Sequence, residues 1–312
     1  MDRIVDIATD GRHLSVRRGF LIVSADRVEV GRIALDDVHA VIVHAHGTTW
    51  SANLVAALAE RGAPLVFCGS NHTPIAVTLP IEGHHAQNAR LRAQWEASKP
   101  LAKQLWRRIV AGKIAMQGAL LAARGVAGAE AFPLIARRVK SGDSDNLEAQ
   151  AARRYWPLLM GRDFRRDRDS PGANALLNYG YAVMRATVAR AVVAAGLHPT
   201  IGINHANRGN AFALADDLVE PFRPLVDARV VAMVERGIET LDSVHKRGFA
   251  KLIAFDVMIA GERSPVSVAA VRLAQSLARA FETGRPSLAL FDPPGAVDWQ
   301  ALTQVDDLDL AA

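Results

Sequence analysis

The sequence is poor in cysteine, with a single residue, Cys68, among 312. One thiol cannot form a disulfide within the chain. Long hydrophobic runs are also missing, since no apolar stretch approaches the roughly 20 residues that span a bilayer. The N-terminal segment MDRIVDIATDGRH has neither the apolar run of a signal peptide nor the acid-poor bias of a transit peptide. These absences predict a cytoplasmic protein that does not bind a membrane.

The sequence also lacks a glycine-rich loop of the kind that holds nucleotide phosphates, which argues against nucleotide-driven chemistry. It does have ample material for a core, because 50% of its residues are hydrophobic. At 312 residues, this composition predicts one large domain or two unequal domains. The net charge of +5 favours a polyanionic partner, although arginine-rich proteins without such a partner can carry the same charge.

Two different periodicities divide the chain. Residues 13–80 alternate apolar and polar side chains, which predicts strands joined by tight turns at Gly19, Asp26 and Gly31. A short helix ending at Gly62 interrupts these strands. Beyond the linker EGHHAQN, the apolar residues recur at helical spacing and few are β-branched.

The sequence therefore predicts an α+β fold with a small β-rich N-terminal domain and a larger all-helical domain. We expect the N-terminal domain to cover residues 1–85 and the helical domain to cover residues 86–290. The remaining residues, 291–312, are acidic and contain prolines, which predicts a flexible tail.

One segment, GINHANRGNAFALADDLVEPFRPLVD, concentrates acids in apolar surroundings between residues 202 and 227. Asp217 and Glu220 are three residues apart, so in a helix they share a face. His205, upstream in a polar segment, could fold back over that face. Carboxylate oxygens with one imidazole suit a hard divalent ion, Mg²⁺ or Mn²⁺. The spacing alone leaves another interpretation open, in which Asp216 and Asp217 are solvated, Glu220 pairs with an arginine and His205 is a turn residue.

A further acid, Glu148, follows Asp145 by three residues in the segment SGDSDNLEAQAARRYW. This spacing matches a capping box, in which the glutamate belongs to the first turn of a helix that begins at Asp145. The alternative is that Glu148 is a third metal ligand, delivered from a separate helix to meet His205 and Glu220, as in open metal sites.

Arginines cluster around Glu148, and their guanidinium groups match the geometry of phosphate. We expect a nucleic-acid backbone to lie along them. The alternative for the segment GRDFRRDRD is a solvated run in which arginines pair with the interspersed aspartates. The candidate DNA-binding residues are Arg137, Arg138, Arg153, Arg154, Arg165 and Arg166.

Three blocks of the sequence resemble the CRISPR-associated endonuclease and integrase family Cas1, in that family's order and spacing. They are LWRRIVAGKIAMQ, NLEAQAARRYWPLLMGRDFRR and NALLNYGYAVMRATVARAVVAAGLHPTIGINHANRGNAFALADDLVEPFRPLVD. The match runs from about residue 3 to about residue 285, and its layout is more similar to the type II branch. The resemblance implies a β-sandwich-like N-terminal domain. It also implies Glu148, His205 and Glu220 as metal ligands, with Asp217 as an auxiliary acid.

The resemblance implies a reaction and partners as well. The family inserts new spacers into a prokaryotic CRISPR array by transesterification at the repeat, with Mg²⁺ or Mn²⁺ as cofactor. The implied partners are double-stranded DNA (prespacer and repeat), a second copy of the chain as a homodimer, a small second adaptation subunit and the type II effector machinery. Two alternatives are a stand-alone structure-selective DNA nuclease and a catalytically silent DNA-binding scaffold.

Overall fold

The computed structural model describes residues 3–45, 47–69, 74–78, 80–81, 84–205 and 209–303. The N-terminal part forms two four-stranded sheets and one helix. Its elements are β1 (Arg3–Ile7), β2 (Arg12–Arg17), β3 (Phe20–Ala25), β4 (Val28–Ala34), β5 (Val38–Val43), β6 (Thr49–Trp50), α1 (Ala52–Glu60), β7 (Leu65–Cys68) and β8 (Pro74–Thr78).

One sheet has the order β1-β5-β7-β8, in which β1, β5 and β7 are parallel and β8 is antiparallel. The other has the order β4-β3-β2-β6 and is built on two tight hairpins. Arg18 and Gly19 form the first turn and Asp26 and Arg27 the second, all four with positive φ, as type I′ hairpin turns require. The predicted turn at Gly31 is wrong, because this glycine lies inside β4 opposite Val23.

The two sheets and α1 enclose a common apolar core that contains Leu14, Leu21, Leu54 and Leu58. This arrangement confirms the sandwich-like N-terminal domain. Strand β5 is buried along its whole length, so its alternating side chains enter different cores. Val41 and Val43 belong to the sandwich core.

The opposite face of the same sheet belongs to the core of the helical domain. Ala40 and Ile42 from β5, with Val66 and Cys68 from β7, pack among buried residues of the helices. The sheet is therefore a wall shared by two hydrophobic cores, and it fixes the N-terminal domain against the helices.

The second part of the chain is mainly helical, as predicted. Helix α6 lies at its centre, buried over most of its length and in contact with α7, α8, α9 and α10. The elements are α2 (Gln87–Trp95), α3 (Lys99–Ala123), α4 (Ala131–Arg138), α5 (Leu147–Met160), α6 (Ala173–Ala194), α7 (Ala213–Leu218), α8 (Arg223–Glu235), α9 (Ser243–Lys251), β9 (Asp256–Ile259), β10 (Glu262–Pro265), α10 (Val266–Thr283) and α11 (Ala296–Thr303).

Gly180 explains how α6 packs so closely against its neighbours. A Cβ atom at this position would lie 2.4 Å from Cγ1 of Val226 in α8 and 2.8 Å from the Phe249 ring in α9. No real Cβ atom is found at such distances. Any larger residue at this position would force the helices apart.

Two details of the predicted organisation differ from the structure. The helical domain includes the hairpin β9–β10, whose turn at Ala260 and Gly261 has positive φ at both residues. The predicted flexible tail is wrong for residues 291–303, because Phe291 stacks on Phe222 at 4.7 Å and Trp299 is buried. Residues 304–312 of that tail lie outside the described residues. In the part of the chain that the structure describes, no helix combines the length and hydrophobicity of a membrane span.

Candidate active site

Two of the three predicted ligands meet at one buried ammonium group. Lys113 of α3 contacts Glu148 from the first turn of α5 through Nζ and Oε1 at 2.6 Å. The same nitrogen lies 2.5 Å from Oε2 of Glu220, which belongs to a single helical turn after α7. Burial alone would lower the pKa of Lys113, but the carboxylates of Glu220 and Glu148 outweigh it and raise the pKa above its ordinary value.

Asp143 places Glu148 at the start of α5. Its carboxylate accepts hydrogen bonds from the backbone N–H of Leu147 at 2.8 Å and of Glu148 at 3.0 Å. The capping box predicted from Asp145 is wrong, because the left-handed Asn146 delays the helix until Leu147. The side chain of Asp145 instead pairs with a lysine at the surface.

Glu220 is almost completely buried and has two cationic partners. Besides Lys113, the guanidinium of Arg223 contacts its Oε1 at 2.9 Å. Burial would raise the pKa of Glu220, but Arg223 and Lys113 outweigh it and hold the pKa below its ordinary value. The pairing of Glu220 with an arginine, one of the interpretations left open by the sequence, is therefore real. The arginine contacts Oε1 and Lys113 contacts Oε2, so both oxygens of this carboxylate have a cationic partner.

The third predicted ligand, His205, is oriented by Asp217. The Asp217 side chain is fully buried, and its Oδ1 lies 2.6 Å from Nδ1 of His205. Its other oxygen accepts the backbone N–H groups of Ile203 and Asn204 at 2.5 and 3.0 Å. The hydrogen bond to Asp217 raises the pKa of His205 above its ordinary value. Since Asp217 engages Nδ1, Nε2 is the nitrogen left to face an ion.

Asp217 and Asp216 thus have separate tasks, and neither is simply solvated. Asp217 supports His205, which agrees with an auxiliary role close to the ligands. Asp216 turns the other way and pairs with Arg185, whose Nε lies 2.6 Å from its Oδ1. Leu214 and Leu218 of the same helix point into the core, as the spacing predicts.

Besides Asp143, sequence reasoning missed two residues that support these ligands. Gln94 of α2 holds the loop before His205, donating to the carbonyls of His198 at 3.0 Å and Ile201 at 2.7 Å. It also accepts the His198 N–H at 2.8 Å. The other missed residue is Lys113. No local signal distinguishes a glutamine or lysine within a helix from a solvated one, so only the tertiary packing reveals both.

A cavity of about 360 Å³ opens beside Glu220 and His205. Four arginines line it, together with Tyr181, Asn178 and Asn210. Arg223 lies over the Tyr181 ring at 4.5 Å, a cation–π arrangement that fixes the guanidinium. The four arginines are Arg166, Arg168, Arg185 and Arg223.

Asp227 supports this wall of the cavity from inside the protein. The carboxylate accepts hydrogen bonds from the hydroxyl groups of Tyr155, at 2.8 Å, and Tyr181. Burial raises the pKa of Asp227 to about 6, although both tyrosine hydrogen bonds act in the opposite direction. The Tyr181 ring that Asp227 holds is the one on which Arg223 rests.

The predicted DNA-binding arginines divide into two groups. Arg166 lines the cavity, and Asn174 and Asn178 accept its guanidinium hydrogens at 2.9 and 2.6 Å. It is therefore held by amides, and not by the aspartates of a self-paired charge run. The other candidates are exposed and do not line this cavity; they are Arg137, Arg138, Arg153, Arg154 and Arg165.

The side chains present fit a divalent ion in their chemistry, although they do not form a complete cage. Within the described residues, no three His, Cys, Asp or Glu side chains are arranged as a ready metal centre. Glu148 and Glu220 nevertheless share one cation, the Lys113 ammonium, and Glu220 shares the cavity with His205. Two carboxylates and one imidazole are ligands that suit Mg²⁺ or Mn²⁺.

The chain is similar to known proteins over most of its length. The family model described as CRISPR associated protein Cas1 matches residues 5–252. The CRISPR-associated endonuclease Cas1 of Neisseria meningitidis serogroup C is 36% identical over 276 residues, covering 83% of this chain and 90% of that protein.

Two solved structures have the same fold at low sequence identity. A casposase bound to integration product superposes with a TM-score of 0.78 at 19% identity and covers 92% of both chains. A Cas6-RT-Cas1–Cas2 complex gives a TM-score of 0.75 at 18% identity, with 94% of this chain and 36% of that chain covered. The family match, the identity to a curated relative and the shared fold confirm the sequence resemblance: the chain belongs to the Cas1 family of CRISPR-associated endonucleases.

Proposed function

We propose that this Cas1 chain holds Mg²⁺ or Mn²⁺ with Glu148, His205 and Glu220 and uses it to insert DNA into a CRISPR array. The observation that carries the proposal is the cavity whose lining includes both Glu220 and His205 together with four arginines. A cavity lined by arginines suits a phosphodiester, because one guanidinium group can donate two parallel hydrogen bonds to phosphate oxygens. A polyanion is therefore brought to the same place as the ligands.

The chemistry of insertion is transesterification, in which a DNA 3′-hydroxyl attacks a phosphodiester and another 3′-hydroxyl leaves. A bound divalent ion supplies charge neutralisation at the phosphate and lowers the pKa of the attacking hydroxyl. The chain's own residues position the reactants: Arg223 and Arg166 are held against Tyr181, ready for a phosphate. Preorganised charges of this kind cost no rearrangement during the reaction. With water as the attacking group, the same arrangement hydrolyses DNA.

The proposed partners follow from the substrate and from the relatives. Insertion joins two DNA ends, so two copies of the site are needed, which supports a homodimer. A complex of Cas1 with Cas2 is among the structures of the same fold, which supports a small second adaptation subunit for this chain. The casposase bound to integration product supports DNA as the substrate. We extend the proposal to the type II effector machinery on the sequence resemblance alone.

The test is a strand-transfer assay with purified protein, the second subunit, a prespacer, an array plasmid and Mg²⁺ or Mn²⁺. Glu148→Gln, His205→Asn and Glu220→Gln should each abolish insertion while DNA binding persists. Their combination should lose little more than any one of them, because the ligands act as a unit. Glu60→Gln, an exposed position on α1, is the matched control and should leave insertion unchanged.

Other outcomes would point to a different function. Near-normal insertion by Glu148→Gln would exclude the ligand role of this residue. Cleavage of branched DNA without any insertion would favour a stand-alone nuclease. DNA binding with neither cleavage nor insertion, at any metal concentration, would favour a silent scaffold.

A further inference from the structure

Lys113 stands where the two glutamate ligands converge. Its ammonium lies 2.6 Å from Glu148 and 2.5 Å from Glu220, and the side chain is only 13% exposed. The lysine belongs to the long helix α3, seven residues after Trp106, whose ring meets the His205 ring edge-on at 5.8 Å. Residues seven apart share a helix face. The same face of α3 therefore contacts all three proposed ligands.

The charges around this point balance without a metal. Glu148 and Glu220 supply two negative charges, and Lys113 and Arg223 supply two positive ones. Without cations, the buried carboxylate of Glu220 and the partly exposed carboxylate of Glu148 would repel one another. The lysine thus holds the two carboxylates close together before any ion arrives.

We propose that the Lys113 ammonium is the resident counterion of the metal-free site and that a divalent ion displaces it. The inference rests on the proposed function, since it requires an ion between Glu148 and Glu220. An ion such as Mg²⁺ binds oxygen at about 2.1 Å. An ion held by both glutamates would compete with the ammonium for their oxygens, and two cations confined between the same carboxylates repel each other.

The structure also offers a place for the displaced side chain. A second cavity of about 220 Å³ is lined by Lys113, and its other charged side chains are Glu220, Asp227, Arg166, Arg168 and Arg223. The three guanidinium groups outnumber the carboxylates, and the Asp227 carboxylate already accepts hydrogen bonds from Tyr155 and Tyr181. An ammonium group that leaves the glutamates for this cavity therefore loses electrostatic stabilisation. Displacing Lys113 costs free energy and therefore weakens metal binding. Before the ion binds, the same lysine holds both glutamates in position.

The first experiment compares Mn²⁺ binding and thermal unfolding of the full-length wild type and Lys113→Met. Free Mn²⁺ is measured by electron paramagnetic resonance. The variant should unfold at a lower temperature than wild type in EDTA, yet bind Mn²⁺ at least tenfold more tightly. Lys103→Met removes an exposed lysine from the same helix and should change neither quantity. Unchanged or weaker Mn²⁺ binding by folded Lys113→Met would overturn the inference.

A second measurement uses the wild-type protein, so it does not depend on the variant folding. Crystals grown with Mn²⁺ locate the ion by its anomalous scattering. Lys113 Nζ should then have left both Glu148 and Glu220. An ion bound to these glutamates with Lys113 still touching both would sink the inference alone. If wild type binds no Mn²⁺ at this site, the proposed function fails as well.

Discussion

The buried carboxylate of Asp217 holds the imidazole of His205 through Nδ1 at 2.6 Å. The imidazole itself is 43% exposed and reaches the cavity, whereas the carboxylate is 0% exposed. The aspartate is therefore a support beneath the histidine, and it leaves Nε2 as the ring nitrogen without an aspartate partner.

Replacing this support should weaken the site without removing a ligand. In Asp217→Asn one oxygen becomes an NH₂ group, which cannot accept from the His205 ring or from the loop backbone. Supporting carboxylates of this kind typically account for 10–100-fold in metal affinity or activity. We expect a loss of that size in Mn²⁺ affinity, measured with and without DNA. Asp216→Asn, which alters the Arg185 side of the cavity, is the control and should retain Mn²⁺ affinity.

A second prediction concerns the start of α5. Asp143→Asn retains the size of the side chain but can accept from only one of the two N–H groups of Leu147 and Glu148. A buried donor left without a partner costs about 1–3 kcal/mol in the free energy of unfolding. Chemical denaturation should show this loss, and insertion activity should fall because Glu148 moves.

Asp145→Asn is the comparison for that experiment, because this aspartate is exposed and pairs with Lys140 at the surface. It should change neither stability nor activity. The reverse result, with Asp145→Asn destabilising and Asp143→Asn neutral, would restore the capping box that the sequence spacing suggests.

Asp143 and Asp145 illustrate which features of the fold and the site could be predicted from the sequence. The change of periodicity located the β-rich and helical parts, and the family blocks predicted Glu148, His205 and Glu220 as ligands. The role of Asp143 depended on the left-handed backbone of Asn146, which no spacing rule contains. Lys113 and Gln94 were equally hidden, because a periodic pattern gives the face of a helix but not the distant element that covers it.

The helix α11 was missed for a related reason. Acidic residues and prolines around Phe291 and Trp299 are typical of a loose tail, and composition favoured that interpretation. The two aromatic side chains nevertheless bury large apolar surfaces, which is enough to fix a short helix on the domain.

A third prediction separates two paths for DNA. If the DNA backbone passes through the cavity, Arg168→Ala should weaken DNA binding and reduce the slope of log affinity against log salt by about one. If it follows the exposed surface of α5, Arg153→Ala should have that effect instead. Titrations of both variants at several salt concentrations distinguish the paths. Unchanged slopes in both would place the DNA elsewhere.

A fourth prediction concerns Asp227, whose pKa in the folded protein is about 6 against an ordinary 3.8. A raised carboxyl pKa means that the folded protein holds this proton after the unfolded chain has lost it. Stability from this group therefore falls as the pH rises from about 4 to about 6 and stays low above that range. An asparagine side chain does not bind this proton. The stability of Asp227→Asn should therefore increase relative to that of wild type as the pH rises through the same range.

Urea denaturation at two pH values measures that gain. The free energy of unfolding of Asp227→Asn minus that of wild type should be larger by about 1 kcal/mol at pH 7.5 than at pH 5. The exposed Asp163→Asn should show no such dependence. A constant difference between Asp227→Asn and wild type at both pH values would mean that Asp227 is already ionised at pH 5.

The strand β5 makes the two parts of the chain inseparable. Ala40 and Ile42 close the core of the helices while Val41 and Val43 close that of the sandwich, so neither part has a complete interior without the other. A fragment beginning at residue 86 would expose to water the apolar helical surface that this sheet now covers, and we expect it to aggregate. The helical part that carries Glu148, His205 and Glu220 therefore cannot be transferred to another protein without the β-sheet that completes its core.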